Sequence, residues 1–218
     1  MRTLLSLLLL AVTLAIAPAS ASAQPLPGPR PEAATGEPKE LVRALQAGGY
    51  VILVRHGATF SNQADTDPFN LADVSKQRNL NQEGKALAKT FGDALRAAGV
   101  PIGNVYTSQF NRARETAVLA GFKDIETTSD LSEGGLVVTP DENGRRARAL
   151  RAMLAKAPDR GSNTMLITHK PNIVDALGKD FFDVKEGEAA IFRPEGGSYH
   201  LLARVEMADW PKLVATAH

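Results

Sequence analysis

The sequence predicts an α/β fold: a three-layer α/β/α sandwich with a mostly parallel central sheet and an antiparallel edge hairpin. Three observations carry that expectation. Short apolar runs such as Val51-Ile52-Leu53-Val54 and Met165-Leu166-Ile167 suit strands buried on both faces. Helix-like segments separate the runs, and strands that alternate with helices build parallel sheets covered on both sides. Farther on, Glu195-Gly196-Gly197-Ser198 joins two strand-like runs as a hairpin turn would.

The elements follow in order. Glu40 to Ala47 reads as a short helix closed by Gly48-Gly49, and Tyr50 to Val54 as the first strand. Asn81 is a capping residue for a helix running to Ala98, with Leu87, Phe91, Ala94 and Leu95 on one face and Gly99 as its stop. Val105 to Thr107 is a strand, Arg112 to Ala120 a helix and Ile125 to Thr127 a short strand. Arg145 to Lys156 is helical by pattern, ended before Pro158, and Thr164 to Thr168 is a further buried strand. Ala189 to Phe192 and Tyr199 to Val205 form the hairpin.

The first residues read as an export signal, residues 1–23. Arg2 supplies the positive start, Leu4 to Ala17 is apolar but short for a bilayer span, and Ala21-Ser22-Ala23 offers a small-x-small cleavage pattern. Cleavage after Ala23 predicts a periplasmic or secreted protein with no stable membrane association; an uncleaved anchor is the competing reading. Residues 24–38 are rich in proline and read as a tether, which leaves residues 39–218 as the folded domain. The net charge is +1, and loss of the leader with its single arginine brings it to zero. Such a balance argues against an electrostatically driven nucleic-acid or anionic-membrane partner. The chain has no cysteine, which excludes disulfides, thiolate metal sites and cysteine nucleophiles.

The first strand stops at Arg55-His56-Gly57. Ligands of open α/β sheets bind outside the carboxyl ends of the strands, so a cation and an imidazole at that edge predict an anionic ligand. Three other segments repeat the theme. Ser108-Gln109-Phe110-Asn111 leads into a helix with the early arginine Arg112, Thr168 is followed by His169, and between them Asp130 to Gly135 carries the carboxylate of Glu133.

Together these segments resemble the histidine phosphatase superfamily, the phosphoglycerate mutase-like or histidine acid phosphatase clan. Arg55-His56-Gly57 matches its signature, Ser108 to Ala117 its Ser-x-x-x-Arg-Ala-x-x-Thr-Ala segment, and Thr168-His169 its second histidine segment. Leu80-Asn81-x-x-Gly84 is similar to its Leu-Thr-x-x-Gly helix start, and Asn62 matches an asparagine that contacts phosphate in the mutase-like branch. The resemblance implies a metal-independent phosphatase that hydrolyses phosphate monoesters through a phosphohistidine, without a cofactor. His56 would be the nucleophile; Arg55, Arg112, His169 and Asn62 would bind the phosphoryl oxygens. Glu133 is the implied acid and base, with Asp65 and Asp67 in reserve. Lys170 stands where the phytase-like branch has an aspartate, so that arrangement does not apply, and it adds positive charge to the rim. Arg78 reads as a partner of Asp73, or alternatively as a substrate contact. The substrate implied is a small-molecule or envelope-derived phosphate ester. A mutase-like phosphotransferase, a non-catalytic phosphate-binding module and a metal-dependent hydrolase using both histidines are the alternatives.

Overall fold

Why the sheet is buried on both faces can be read from its first strand. In the computed structural model, which describes residues 38–133 and 138–216, Ile52 and Val54 of β1 (Val51–Arg55) point into one core and Val51 and Leu53 into another. The alternation of strand side chains makes this unavoidable. The first core includes Phe91, Leu95 and Trp210; the second includes Leu150, Leu154 and Ile173. Residues 1–37, with the export signal and most of the tether, lie outside the described residues, as do 134–137.

The six strands are β1, β2 (Ile102–Ser108), β3 (Ile125–Thr128), β4 (Asn163–Thr168), β5 (Glu188–Glu195) and β6 (Ser198–Glu206), in the spatial order β3-β2-β4-β1-β5-β6. The β1–β4, β2–β4 and β2–β3 pairs are parallel, while β1–β5 and β5–β6 are antiparallel. The predicted hairpin is therefore present, turning at Gly196 (φ 56°) and Gly197 (φ 85°), a conformation that suits a type I′ turn. One layer of helices comprises α1 (Pro38–Ala47), α2 (Gln82–Ala97), α3 (Asn111–Leu119) and α6 (Trp210–Ala215); the other comprises α4 (Pro140–Ala155) and α5 (Lys170–Leu177).

Asn81 caps α2 as expected, its side chain accepting from the Gly84 N–H at 2.8 Å. Gly84 has a second role. A Cβ there would lie 2.1 Å from the Ala58 carbonyl oxygen, so only glycine lets α2 cross the backbone that follows His56.

Three helices differ from the sequence reading. α4 begins at Pro140 rather than Arg145, because Thr139 accepts from the Glu142 N–H and proline fits the first helical turn. α5 and α6 are additional. Each is short and carries a proline in its first turn, where it costs no hydrogen bond although in sequence it resembles a breaker.

Candidate active site

The parallel strands deliver their chemistry to one edge. Arg55 stands opposite Thr168 in the β1–β4 register, and Thr107 opposite Ile167 in the β2–β4 register. The residues that follow each strand therefore emerge side by side. The His56 N–H donates to the Thr168 carbonyl at 3.0 Å, extending the pairing one residue beyond β1. The rings of His56 and His169 lie 5.1 Å apart, centre to centre, at 62°.

Hydrogen bonding sets the tautomer of each ring. His56 Nδ1 lies 2.8 Å from the Gly57 carbonyl oxygen. A carbonyl can only accept, so Nδ1 carries the proton and the Nε2 lone pair is free. His169 has the other arrangement. Arg112 Nε donates to its Nδ1 at 3.3 Å, so Nε2 carries the proton and donates to Ser108 Oγ at 2.7 Å. Ser108 Oγ in turn donates to Ser132 Oγ at 3.1 Å and accepts from the Phe110 N–H. Both nitrogens of His169 are thus engaged within the protein.

Arg112 is fully buried and is the hub of the cluster. Besides His169 it holds Asp65 through Nη1 at 3.0 Å and Glu133 through Nη2. The second oxygen of Glu133 lies 3.9 Å from His169 Nδ1. The Phe110 ring packs 4.5 Å under the guanidinium and edge-on to His169. Arg55 donates from Nη1 to the Val184 carbonyl at 2.8 Å and pairs with Glu186 at 3.4 Å. Its Nε is buried without an acceptor among the described residues. Glu186 also accepts from the Thr59 hydroxyl at 2.7 Å and approaches Arg78 at 4.0 Å.

The predicted residues are therefore largely gathered: Arg55, His56, Arg112, Glu133 and His169 form one connected cluster, with Asp65 attached to it. Asn62 is exposed in the loop after β1 and makes no hydrogen bond to the cluster. Asp67 likewise has no side-chain bond to it. One expectation is corrected: Arg78 does not pair with Asp73. The Asp73 carboxylate caps the turn at Val74–Lys76 by accepting from Ser75, and Arg78 instead lines the cleft near Glu186. Sequence reasoning missed Glu186 and Ser132, and passed over the roles of Ser108 and Thr116. Thr116 accepts from the Gly57 N–H at 3.1 Å and so fixes the turn that holds His56. The Ser108-to-Ala117 motif contained two of these four. Nothing in the sequence around Glu186 marks it.

Arg55 and Glu133 of the cluster also line a cleft of about 590 Å³, beneath whose surface His56, Arg112 and His169 are buried. Arg55, Arg78 and Lys170 supply its cations, Glu133 its acid, and Pro171, Val174 and Phe182 an apolar wall.

Burial, with the Arg112 guanidinium second, holds His56 well below the usual imidazole range, and the Gly57 carbonyl only partly opposes this. Burial and then Arg112 act on His169 in the same direction. Both rings stay neutral in the folded protein while an unfolded chain would protonate its histidines near pH 6.5. A folded-state value below the unfolded one means that the unfolded chain binds more protons as the solution is acidified. Stability is then complete above about pH 6.5 and falls below it, by up to about 1.4 kcal/mol per pH unit for each ring. Urea unfolding at about pH 7.5 and pH 5.5 checks this, and a flat profile would contradict the neutral pair.

The profile of the histidine phosphatase superfamily (branch 1) matches residues 51–160. Among solved structures, the chain is similar to the protein histidine phosphatase SixA complexed with tungstate, at 18% identity over 73% of this chain and 98% of that one, with a TM-score of 0.53. It is also similar to phosphoserine phosphatase from Entamoeba histolytica in complex with 3-phosphoglyceric acid, at 16% identity over 71% and 95%, with a TM-score of 0.52. At such identities the likeness is one of fold. No curated protein sequence matches the chain.

Proposed function

The chain belongs to the histidine phosphatase superfamily, and on that premise we propose that it is a metal-independent phosphatase that hydrolyses phosphate monoesters through a phosphohistidine on His56, in the periplasm or outside the cell. The observation that carries the reading is the tautomer of His56. With the Nδ1 proton committed to Gly57, the lone pair on Nε2 is the one available for attack, and burial beside two guanidinium groups keeps that lone pair unprotonated.

In the first step Nε2 of His56 forms a bond to phosphorus as the ester P–O bond breaks, and the leaving oxygen takes a proton from a carboxyl group. In the second, water attacks the phosphohistidine, gives its proton to the same carboxylate, and the P–N bond breaks to release phosphate. Arg112 and Arg55 suit the non-bridging oxygens, whose charge spreads in the transition state. An incoming oxygen would also satisfy the buried Nε–H of Arg55, which lacks an acceptor. Asp65 and Glu133 hold the Nη donors of Arg112, and phosphate would take those donors by displacing the carboxylates.

Glu133 is the proposed acid because its carboxylate is held by Arg112 beside the histidines and also lines the cleft. Asp65 is the second reading, since it touches the same guanidinium. Glu133→Gln is expected to slow an alkyl phosphate by about a hundredfold or more, the usual weight of a positioned acid. An aryl phosphate needs little help in leaving and should slow by less than about tenfold. Steady-state rates on glycerol phosphate and 4-nitrophenyl phosphate make the comparison. Equal losses on both would remove Glu133 from this role, and the alkyl-selective loss in Asp65→Asn instead would transfer it. Tight phosphate binding with no turnover of either ester would favour a binding module.

A further inference from the structure

The outer cleft contains a cation that the chemistry above does not use. Lys170 is the first residue of α5, where a positive charge opposes the helix dipole, and the first turn of that helix carries no acid. The other cations of the site each face a carboxylate: Arg112 has Asp65 and Glu133, while Arg55 and Arg78 share Glu186. Among the described residues no carboxylate pairs with Lys170. Asp183, whose charge it influences, pairs with Arg204 at 2.9 Å instead. A lysine in an unfavourable helix position, without an ionic partner and facing a cleft, contributes little that stabilises the fold.

Its neighbours in the wall are apolar. Pro171 and Val174 lie on the same helix, and Phe182 leaves 60% of its surface open to solvent. At about 590 Å³ the cleft is far larger than one phosphoryl group and is of a size that holds a whole small molecule.

We propose that this wall binds the alcohol half of the substrate, and that the preferred substrate is a phosphate monoester whose alcohol carries a second anionic group, held by Lys170, beside an apolar surface seated on Phe182 and Val174. The inference rests on the phosphatase reading and narrows it. Phosphate would sit over the histidines, while the second anion would lie at the rim where the screened charge of Lys170 can discriminate.

The experiment uses two esters with one leaving-group framework: 4-(2-carboxyethyl)phenyl phosphate and its neutral carboxamide. Their shape and leaving oxygen match, and they differ in one charge. For the full chain, kcat/KM is expected to favour the acid by roughly twofold to fivefold, the scale of a partly exposed ion pair. The preference should shrink as salt is added. In Lys170→Gln the ratio is expected to fall to near one, and in Lys170→Arg to persist. Phe182→Ser should lower kcat/KM for both esters together. A ratio near one in the unaltered protein, or an acid preference that survives Lys170→Gln, overturns the proposed substrate class and leaves the phosphatase reading standing. No hydrolysis of either ester or of 4-nitrophenyl phosphate overturns both.

Discussion

His56→Ala is expected to lower kcat/KM on any phosphate ester by about four to six orders of magnitude, the scale seen when a covalent nucleophile is deleted. His56 is only 1% exposed and is fixed from several sides: its backbone N–H donates to the Thr168 carbonyl, its ring Nδ1–H to the Gly57 carbonyl, and the Gly57 N–H to Thr116 Oγ1. Water could not take over its role, because the attacking lone pair is positioned by contacts that a free molecule would not make. A second measurement separates lost chemistry from lost fold. During turnover of a labelled ester, an alkaline quench should leave label on the chain and an acid quench should remove it, since phosphohistidine is acid-labile. The label should be absent in His56→Ala, whose cooperative unfolding should persist. Label retained in the alanine variant, or never trapped in the unaltered protein, would eliminate His56 as the nucleophile.

Strand ends and their polar successors were legible in the sequence because two independent signals coincide there. A buried strand must be apolar, so the abrupt change at Val54-Arg55-His56 and at Thr168-His169 marks both a boundary and a chemical site. The parallel pairing then brings distant segments together without any special contact: β4 lies between β1 and β2, so their three ends are adjacent. Glu186 shows where such reading stops. It bonds Thr59 across 127 residues of sequence, from a loop with no distinguishing composition. The path by which that loop reaches β1 depends on Gly187, at φ 76°, whose N–H donates to the carbonyls of Arg55 and His56. Arg78 was misread for a related reason. A nearby acid in sequence, Asp73, is a plausible ionic partner until the turn at Val74–Lys76 claims its carboxylate for Ser75. Local proximity favours the short-range pairing, and only the folded loop reveals which charges face one another.

Arg112→Met is expected to damage both chemistry and stability, by separable routes. The side chain has no solvent exposure, and its three nitrogens hold His169, Asp65 and Glu133. Removing the cation leaves two carboxylates facing each other near a buried imidazole. Loss of one partner from a buried pair typically costs about 3–5 kcal/mol. Because Asp65 and Glu133 are 21% and 16% exposed, water softens that penalty, and a loss near the lower end is expected in urea unfolding. Activity should fall by about a hundredfold to a thousandfold, the weight of one preorganised donor set on a developing anion. Adding Asp65→Asn and Glu133→Gln to Arg112→Met removes the orphaned charges, so much of the stability should return, while turnover of 4-nitrophenyl phosphate should stay far below that of the Asp65→Asn, Glu133→Gln double variant. Arg112→Lys probes the remaining possibility. It keeps a charge in place but cannot donate in a planar fork to two oxygens while also holding His169 Nδ1. It should therefore restore more stability than activity. If the triple variant matched the Asp65→Asn, Glu133→Gln double variant in its rate on 4-nitrophenyl phosphate as well as in stability, Arg112 would be a structural counter-ion to Asp65 and Glu133, and phosphoryl binding would have to rest on Arg55.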